Sequence, residues 1–471
     1  MNIETTPASD APLPDAPLPD AALPAAPLPD ADELRARLTG ALHLPGDPGF
    51  VPAALPWNVS VAARPLAVVE AADPDDVQTA VTHAARHGIR VAVLGPGHGA
   101  SETLDGTLLI RTGALGRLEI AADARTAIVG AGVSWGTLQA ALDTTGLTGL
   151  VGSSPSVSVV GLLLQGGYSW LSRAFGAAAG SLRAAEVVTA DGARGWIDES
   201  TDADLLWALR GGGGRFAAVT AIELDLAPAG ELAGGRLMFP IEVAQPVLAA
   251  WAAATRGCDP ATTLWAGILN FPPLPELPEP LRGRSFVAVD AVTTAGIERL
   301  ESVLAPIRAA GPVVHDTVAP RSPGQLGDIC EEPVTPTPAV QCGIPLRSLP
   351  DEALPVILGA ATAPGRFMQV QLRHVAGSPT HRDGFATTID AAYVVNALAI
   401  APVPEAVSGA QQAMDALAET LAPWAGGTLL PSFVGTWHDL RDAAPTDRIE
   451  RLAAIARRLD PQEVFTASLR G

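Results

Sequence analysis

A β-type run over residues 89–94 delivers the chain into Gly95-Pro96-Gly97-His98-Gly99-Ala100, a glycine turn carrying an imidazole. The spacing formally satisfies Gly-x-Gly-x-x-Ala, a dinucleotide fingerprint in which a helix must follow at once so that its N-terminus meets a pyrophosphate. Residues 101–106 read instead as a turn and Thr107-Leu108-Leu109-Ile110 as another strand, so the Rossmann reading fails on context. Three more glycine clusters need placing: Val151-Gly152-Ser153-Ser154-Pro155, the stretch from Gly161 to Gly166-Gly167-Tyr168-Ser169-Trp170, and Arg210-Gly211-Gly212-Gly213-Gly214-Arg215-Phe216. Glycine lets backbone approach a ligand and exposes amide donors to anionic or polar groups. One such cluster marks only a turn; four in one half of the chain point to a large phosphate-bearing cofactor.

Other chemistries fall away by count. The sequence has no lysine, so all 30 basic residues are arginine, which removes a Walker A phosphate loop and Schiff-base catalysis. Cys258, Cys330 and Cys342 are odd in number and widely spaced, with no pair suited to zinc or a redox dithiol. Fifty acidic against 30 basic residues give a net charge of −20, which argues against sequence-independent nucleic-acid binding. No run of 18 apolar residues occurs, and the N-terminus lacks the basic start and apolar stretch of a secretory signal. A cytoplasmic protein that engages neither membrane nor nucleic acid is expected.

The elements that must position these residues follow from periodicity. At 471 residues and 48% hydrophobic content the chain has material for two or three domains. Repeated Ala-Pro-Leu-Pro-Asp units between Ala11 and Pro29 predict an extended, disordered acidic leader over residues 1–31. From 32 to 228, strands at 65–70, 89–94, 127–132 and 186–192 alternate with helices at 77–87 and 137–145. From 229 to 425 the pattern shifts to longer helices, proline-rich loops such as 271–280, and strands such as 367–374. Gln369, Gln371 and Arg373 share one face of that strand, because side chains alternate with period two. An Arg-rich amphipathic helix at 447–459 ends at Asp460-Pro461, which makes 426–471 a segment returning to the first domain.

The ordered motifs resemble one family, the berberine bridge enzyme-like, FAD-linked oxidases of the vanillyl-alcohol-oxidase superfamily. Trp57-Asn58, Arg64-Pro65-Leu66-Ala67-Val68-Val69 and the loop ending at His98 are similar to its first FAD subdomain. The run from Gly166 to Gly176 and then Ala185 to Gly192 resembles the second, Asp204 to Phe216 its flavin-contacting loop, and Leu459 to Phe465 its C-terminal signature. The resemblance implies an α+β fold, with a PCMH-type two-subdomain FAD-binding domain and an inserted substrate domain of antiparallel sheet plus helices. It also implies FAD contacts at Gly95, Pro96, Gly97, Gly99, Ser154 and Val157, at Gly161, Gly166, Gly167, Tyr168 and Trp170, and at Gly212, Gly213, Phe216 and Val219.

His98 occupies the position where the family bonds an imidazole nitrogen to the 8α-methyl carbon of FAD. Where many relatives attach FAD again through cysteine, this chain has Ser154, so one covalent link is expected and no cysteinyl one. Leu94 stands for the family's arginine and Pro96 for a glycine, removing a cation and a donor from the loop. The base is less legible: the strand position that often holds Glu is Gln371, an amide unable to take a proton, and Ser432-Phe433 lacks the C-terminal phenol. His374, His381 and Glu331 are the remaining candidates, with Tyr168 a catalytic or wall residue beside the flavin, and Trp265, Asn270 and Gln369 lining the pocket. The resemblance thus implies a monomeric or homodimeric oxidase of secondary metabolism that passes hydride from a small molecule to flavin N5, with O₂ yielding H₂O₂. The alternative on the same fold is a non-redox cyclase or binding scaffold with a structural flavin.

Overall fold

Short runs of Val, Leu and Ile, buried on both faces, build the first sheet of the computed structural model, which describes residues 27–442 and 444–466. Strands β1 (Ala41–His43), β2 (Ala67–Glu70), β3 (Val91–Leu94) and β4 (Leu108–Arg111) lie in the order β1-β2-β4-β3, the last three parallel. Helix α1 (Ala31–Arg37) is followed by α2 (Phe50–Ala54) and by α3 (Pro74–His87), the crossover that parallel strands require. Asp73 caps α3 by accepting from the Asp76 amide, and Gly88, left-handed at φ 64°, ends it. Of the proline-rich stretch, residues 1–26 lie outside the described residues. Leu28 is already in the core, and the Pro29 carbonyl accepts from His83 Nε2 at 3.0 Å.

A second, antiparallel sheet follows, ordered β5-β6-β10-β8-β9, from β5 (Leu118–Ala121), β6 (Thr126–Gly130), β8 (Leu182–Val188), β9 (Arg194–Ile197) and β10 (Ala218–Asp225). Between β6 and β8 run α4 (Trp135–Leu142), the short β7 (Leu147–Thr148), α5 (Val159–Leu164) and α6 (Ser172–Phe175); α7 (Ala203–Leu209) precedes β10, and β11 (Ala227–Pro228) pairs with β7. The strand expected at 186–192 runs instead from Leu182, which pairs with Leu224 of β10, to Val188, ahead of the Asp191-Gly192 turn into β9.

The third sheet is the largest and wholly antiparallel, ordered β15-β12-β14-β13-β18-β19-β17 with β16 also on β12. Its strands are β12 (Ala233–Pro240), β13 (Thr262–Asn270), β14 (Ser285–Thr293), β15 (His315–Asp316), β16 (Ala319–Pro320), β17 (Ala339–Leu346), β18 (Gln369–His374) and β19 (Tyr393–Ile400). One face packs Leu264, Ala266, Ile268, Val370 and Leu372 under α8 (Ala244–Gly257), α9 (Ile297–Arg308), α10 (Ala353–Ala361) and α11 (Pro404–Leu421). The opposite face turns Trp265 into the core of the first two sheets. After α12 (Thr446–Leu459) the chain returns to the β3 edge, where Val91 donates to Val464 at 2.6 Å and accepts from Thr466 at 2.9 Å. Among the described residues no helix is long and apolar enough to cross a membrane.

Candidate functional site

The loop leaving β3 abuts a second loop at 152–158. His98 Nε2 lies 3.0 Å from the Ser156 hydroxyl, Ser156 is 3.1 Å from Ser154, and a side chain on Gly95 would meet Ser158 at 3.4 Å. On its other side the imidazole stacks on Trp57 at 4.0 Å and 20°; the Trp57 amide holds the Pro96 carbonyl and the Asn58 amide that of Gly97. Gly97 is glycine for cause: its φ is 95°, and a Cβ there would strike Pro56 at 2.9 Å. Burial lowers the His98 pKa to about 4 against the opposing pull of the Ser156 hydrogen bond, so at neutral pH the ring is uncharged and keeps a lone pair. The amides of Gly97, His98, Gly99, Ser153, Ser154 and Ser156 donate to no protein acceptor among the described residues.

Facing this from the large sheet is a polar surface, with Arg236 opposite Asp290, Asp290 opposite Trp265, and Trp265 opposite Arg373 in neighbouring strands. One step along, Gly267, Gln371 and Asn396 are in register. Arg236 binds Asp290 at 2.6 and 3.0 Å, Cys330 Sγ is 3.4 Å from Asp290, and Gln371 Nε2 is 3.7 Å from Cys330. Gln371 Oε1 accepts from Arg373 at 2.6 Å, and Arg373 reaches across to Ser153 at 3.3 Å. Trp265 stacks on Trp170 at 3.6 Å, and among the described residues both buried indole nitrogens have no acceptor and the buried Asn396 carbonyl oxygen has no donor.

The sequence-predicted residues divide on inspection. His98, Gly95, Pro96, Gly97, Gly99, Ser154 and Val157 belong to the two touching loops, with Gly161 in the turn of α5 that Ser158 caps. On their Cβ side Gly166, Gly167 and Gly212 are close-packed against protein. Added Cβ atoms would lie 3.1 Å from Leu430, 2.7 Å from Leu162 and 2.4 Å from the Ala208 carbonyl. Gly213 is tied to Leu164 by its amide, while Phe216 and Val219 are core side chains. Tyr168 is a wall residue: its hydroxyl donates to Thr428 and accepts from the Leu430 amide at 3.1 Å, its ring meets Phe433 edge-on at 5.0 Å, and burial pushes its pKa up. Both the proton and a lone pair of that phenol are thus engaged by backbone.

His374 lies off the polar sheet face. It projects from the opposite face of β18 to Gln371 and Arg373, stacking on Tyr393 at 5.3 Å in the helix-covered layer; burial, then Arg173, lowers its pKa to about 3. His381 is exposed, and Glu331 is bound to His315 at 3.1 Å. Asn270 spends its amide on Ala361 and Phe367 and accepts from Ser285, so it braces the rim. Sequence reasoning missed Trp57 and Ser156 as clamps on His98, and gave no role to Arg373, which it placed on the Gln371 face. The sequence signal for the polar face was a lone charge inside an apolar strand, Asp290 in Ser-Phe-Val-Ala-Val-Asp-Ala-Val-Thr.

Residues 65–197 match the family described as FAD binding domain. Physcomitrella patens BBE-like 1 superposes with a TM-score of 0.80 over 93% of this chain and 98% of its own at 18% identity. The 6-hydroxy-D-nicotine oxidase of Arthrobacter nicotinovorans gives 0.74 over 91% and 96%, at 21% identity. Among curated proteins, the FAD-dependent monooxygenase FUP4 of Fusarium proliferatum is 38% identical over 38% of this chain and 35% of its own length. The (R)-6-hydroxynicotine oxidase of Paenarthrobacter nicotinovorans is 28% identical over 60% and 61%. The chain thus spans from about a fifth to three fifths of the length of the curated relatives it matches. Residues 65–197 thus carry an FAD binding domain, and the chain as a whole shares the fold of BBE-like 1 and 6-hydroxy-D-nicotine oxidase.

The residues fit that cofactor. FAD is rich in acceptors, with an anionic diphosphate and a ring system bearing carbonyls and nitrogens. The site holds a matching surplus of donors: the unspent loop amides, the Ser154 and Ser156 hydroxyls, and the indoles of Trp170 and Trp265.

Proposed function

We propose that this chain is an FAD-dependent oxidase of a small molecule, with the cofactor joined to His98 and to no cysteine. The substrate would lose a hydride and a proton, and O₂ would take up two electrons and two protons as H₂O₂. Bound at the two loops, FAD supplies the two-electron redox chemistry; the chain supplies binding, orientation and exclusion of water. Loops 95–99 and 152–158 would hold the diphosphate through their amides, Trp57 and Ser156 fix the His98 ring from two sides, and the sheet face bearing Trp265, Gln371 and Arg373 roofs the substrate. The observation that supports this reading is the clamped His98, uncharged at neutral pH, at the meeting of two loops in which the amides of Gly97, His98, Gly99, Ser153, Ser154 and Ser156 have no acceptor among the described residues.

The test is the visible spectrum of the purified protein before and after acid precipitation. Yellow colour that stays with the pellet in the parent protein and moves to the supernatant in His98→Ala is the expected result. Colour released by acid from the parent refutes the attachment, and a colourless protein refutes the flavin.

A second reading has one specific observation in its favour. Among the described residues no carboxylate, imidazole or free phenol on the Gln371 face stands ready to take a proton: Asp290 is bound to Arg236 and Tyr168 to backbone. A non-redox cyclase or binding scaffold with structural flavin would need none. Anaerobic mixing with candidate substrates separates the two, since only the oxidase bleaches the flavin absorbance.

A further inference from the structure

Four arginines are buried in the described residues, and three have their charge answered by protein. Arg236 is paired with Asp290, Arg210 with Glu199 at 2.6 Å, and Arg173 is surrounded by the carbonyls of Cys258, Asp259, Thr262 and Ala376. Arg373 is different. It is 5% exposed, and no carboxylate lies within ion-pair distance of it among the described residues. Its Nε binds the neutral Gln371 amide and one Nη2 proton the Ser153 hydroxyl, while Nη1 has no acceptor among the described residues. The two faces of the guanidinium are covered, by Trp265 at 4.0 Å and Phe433 at 4.6 Å. Aromatic faces attract the charge but accept no hydrogen bond in the plane of the fork, so the open edge is the part left to a ligand.

A buried cation without a counter-charge is costly, and removing that cost is what an incoming anion would do. The neighbouring groups select against other answers. Gln371 and Asn396 are neutral amides, Asp290 on the same face is bound to Arg236, and Glu332 acts on Arg373 only from beyond ion-pair distance. We infer that Arg373 binds a carboxylate of the substrate, making anionic small molecules the class this site accepts. Two parallel N–H···O bonds from a guanidinium suit the planar carboxylate and reject its amide analogue. The inference rests on the proposed substrate face opposite the flavin loops.

The experiment is calorimetric titration of the purified holoprotein with benzoate and, separately, benzamide, in the parent, Arg373→Lys and Arg373→Gln. Benzoate is expected to bind the parent at least tenfold more tightly than benzamide, with the ratio reduced in Arg373→Lys and lost in Arg373→Gln. Equal affinities in the parent, no benzoate binding to it, or a ratio that survives in Arg373→Gln overturns the inference. The flavin's own charge is the competing claim on Arg373: a reduction potential that falls in Arg373→Lys while the benzoate preference stays unchanged assigns the cation to the cofactor and overturns it as well. The parent comparison needs no variant to fold, and the colour of the protein reports separately whether the flavin reading stands.

Discussion

Two histidines show how burial assigns opposite tasks to one side-chain type. His98 and His374 both have depressed pKa values, about 4 and about 3, and burial is the main cause in each. His98 faces a loop rich in unspent donors; His374 faces Tyr393 and the helical layer. For His374 the depression is a stability matter. Its folded pKa lies below the ordinary value of about 6.5, so below that pH the unfolded chain takes up a proton that the folded chain refuses. Stability is therefore whole above pH 6.5 and falls as pH drops toward 3, by at most roughly 5 kcal/mol from this one group. His374→Phe, which keeps a ring against Tyr393 and removes a buried Nδ1 without a partner, is expected to move the acid-unfolding midpoint to lower pH in a circular-dichroism titration. An unmoved midpoint would show that other groups control the acid limb. The sequence placed both imidazoles on the right elements, and period two correctly put His374 off the Gln371 face; it gave no view of what covers either face.

At the scale of elements, local pattern carried further than long-range register. The helix expected at 77–87 is α3 from Pro74, and the strand at 89–94 is β3 from Val91, because caps and apolar periodicity are local signals. Which strand lies beside which is not local: Asp290 meets Arg236 from 54 positions away, and Cys330 reaches Asp290 across 40. The polar sheet face was for that reason only partly legible, through Gln369, Gln371 and Arg373. Its anchor is testable. Asp290→Asn would leave Arg236 buried beside a neutral group, and breaking a buried pair by removing one partner costs about 3–5 kcal/mol. Chemical denaturation should record a loss of that order, and a loss near zero would mean that Arg236 finds another acceptor. The packing of the glycine loops was hidden in a related way: Gly212 lies against the Ala208 carbonyl of α7 and Leu452 of α12. Gly212→Ala is expected to destabilise the protein by about 1–3 kcal/mol through overpacking, with flavin content retained in what folds. Loss of flavin at unchanged stability would instead return Gly212 to the cofactor site.

The whole molecule works only if the large sheet stays docked on the two loop-bearing sheets, since the roof and the cofactor cradle belong to different layers. Two hydrophobic clusters, one around the first two sheets and one between the large sheet and its helices, are each large enough to unfold as a unit. Trp265, Ile329 and Cys330 join the first cluster from the other layer, so the contact is partly apolar. Its polar clamp is Arg173 on α6, which donates to Cys258 at 3.0 Å, Asp259 at 2.7 Å, Ala376 at 3.0 Å and to the Thr262 carbonyl at the start of β13. A charged donor serving four carbonyls has no substitute among neutral side chains, and Arg173→Ala strands those acceptors at a buried seam. The expected outcome is a split thermogram: one calorimetric transition in the parent, two in the variant, the large sheet and its helices melting apart from the flavin-binding layers. Because docking also holds Arg373 against Ser153, the variant should bind benzoate more weakly at temperatures where both units remain folded. A single transition at the parent's midpoint would mean that the apolar contacts alone keep the layers together, and that the roof is fixed by Trp265 on Trp170 rather than by Arg173.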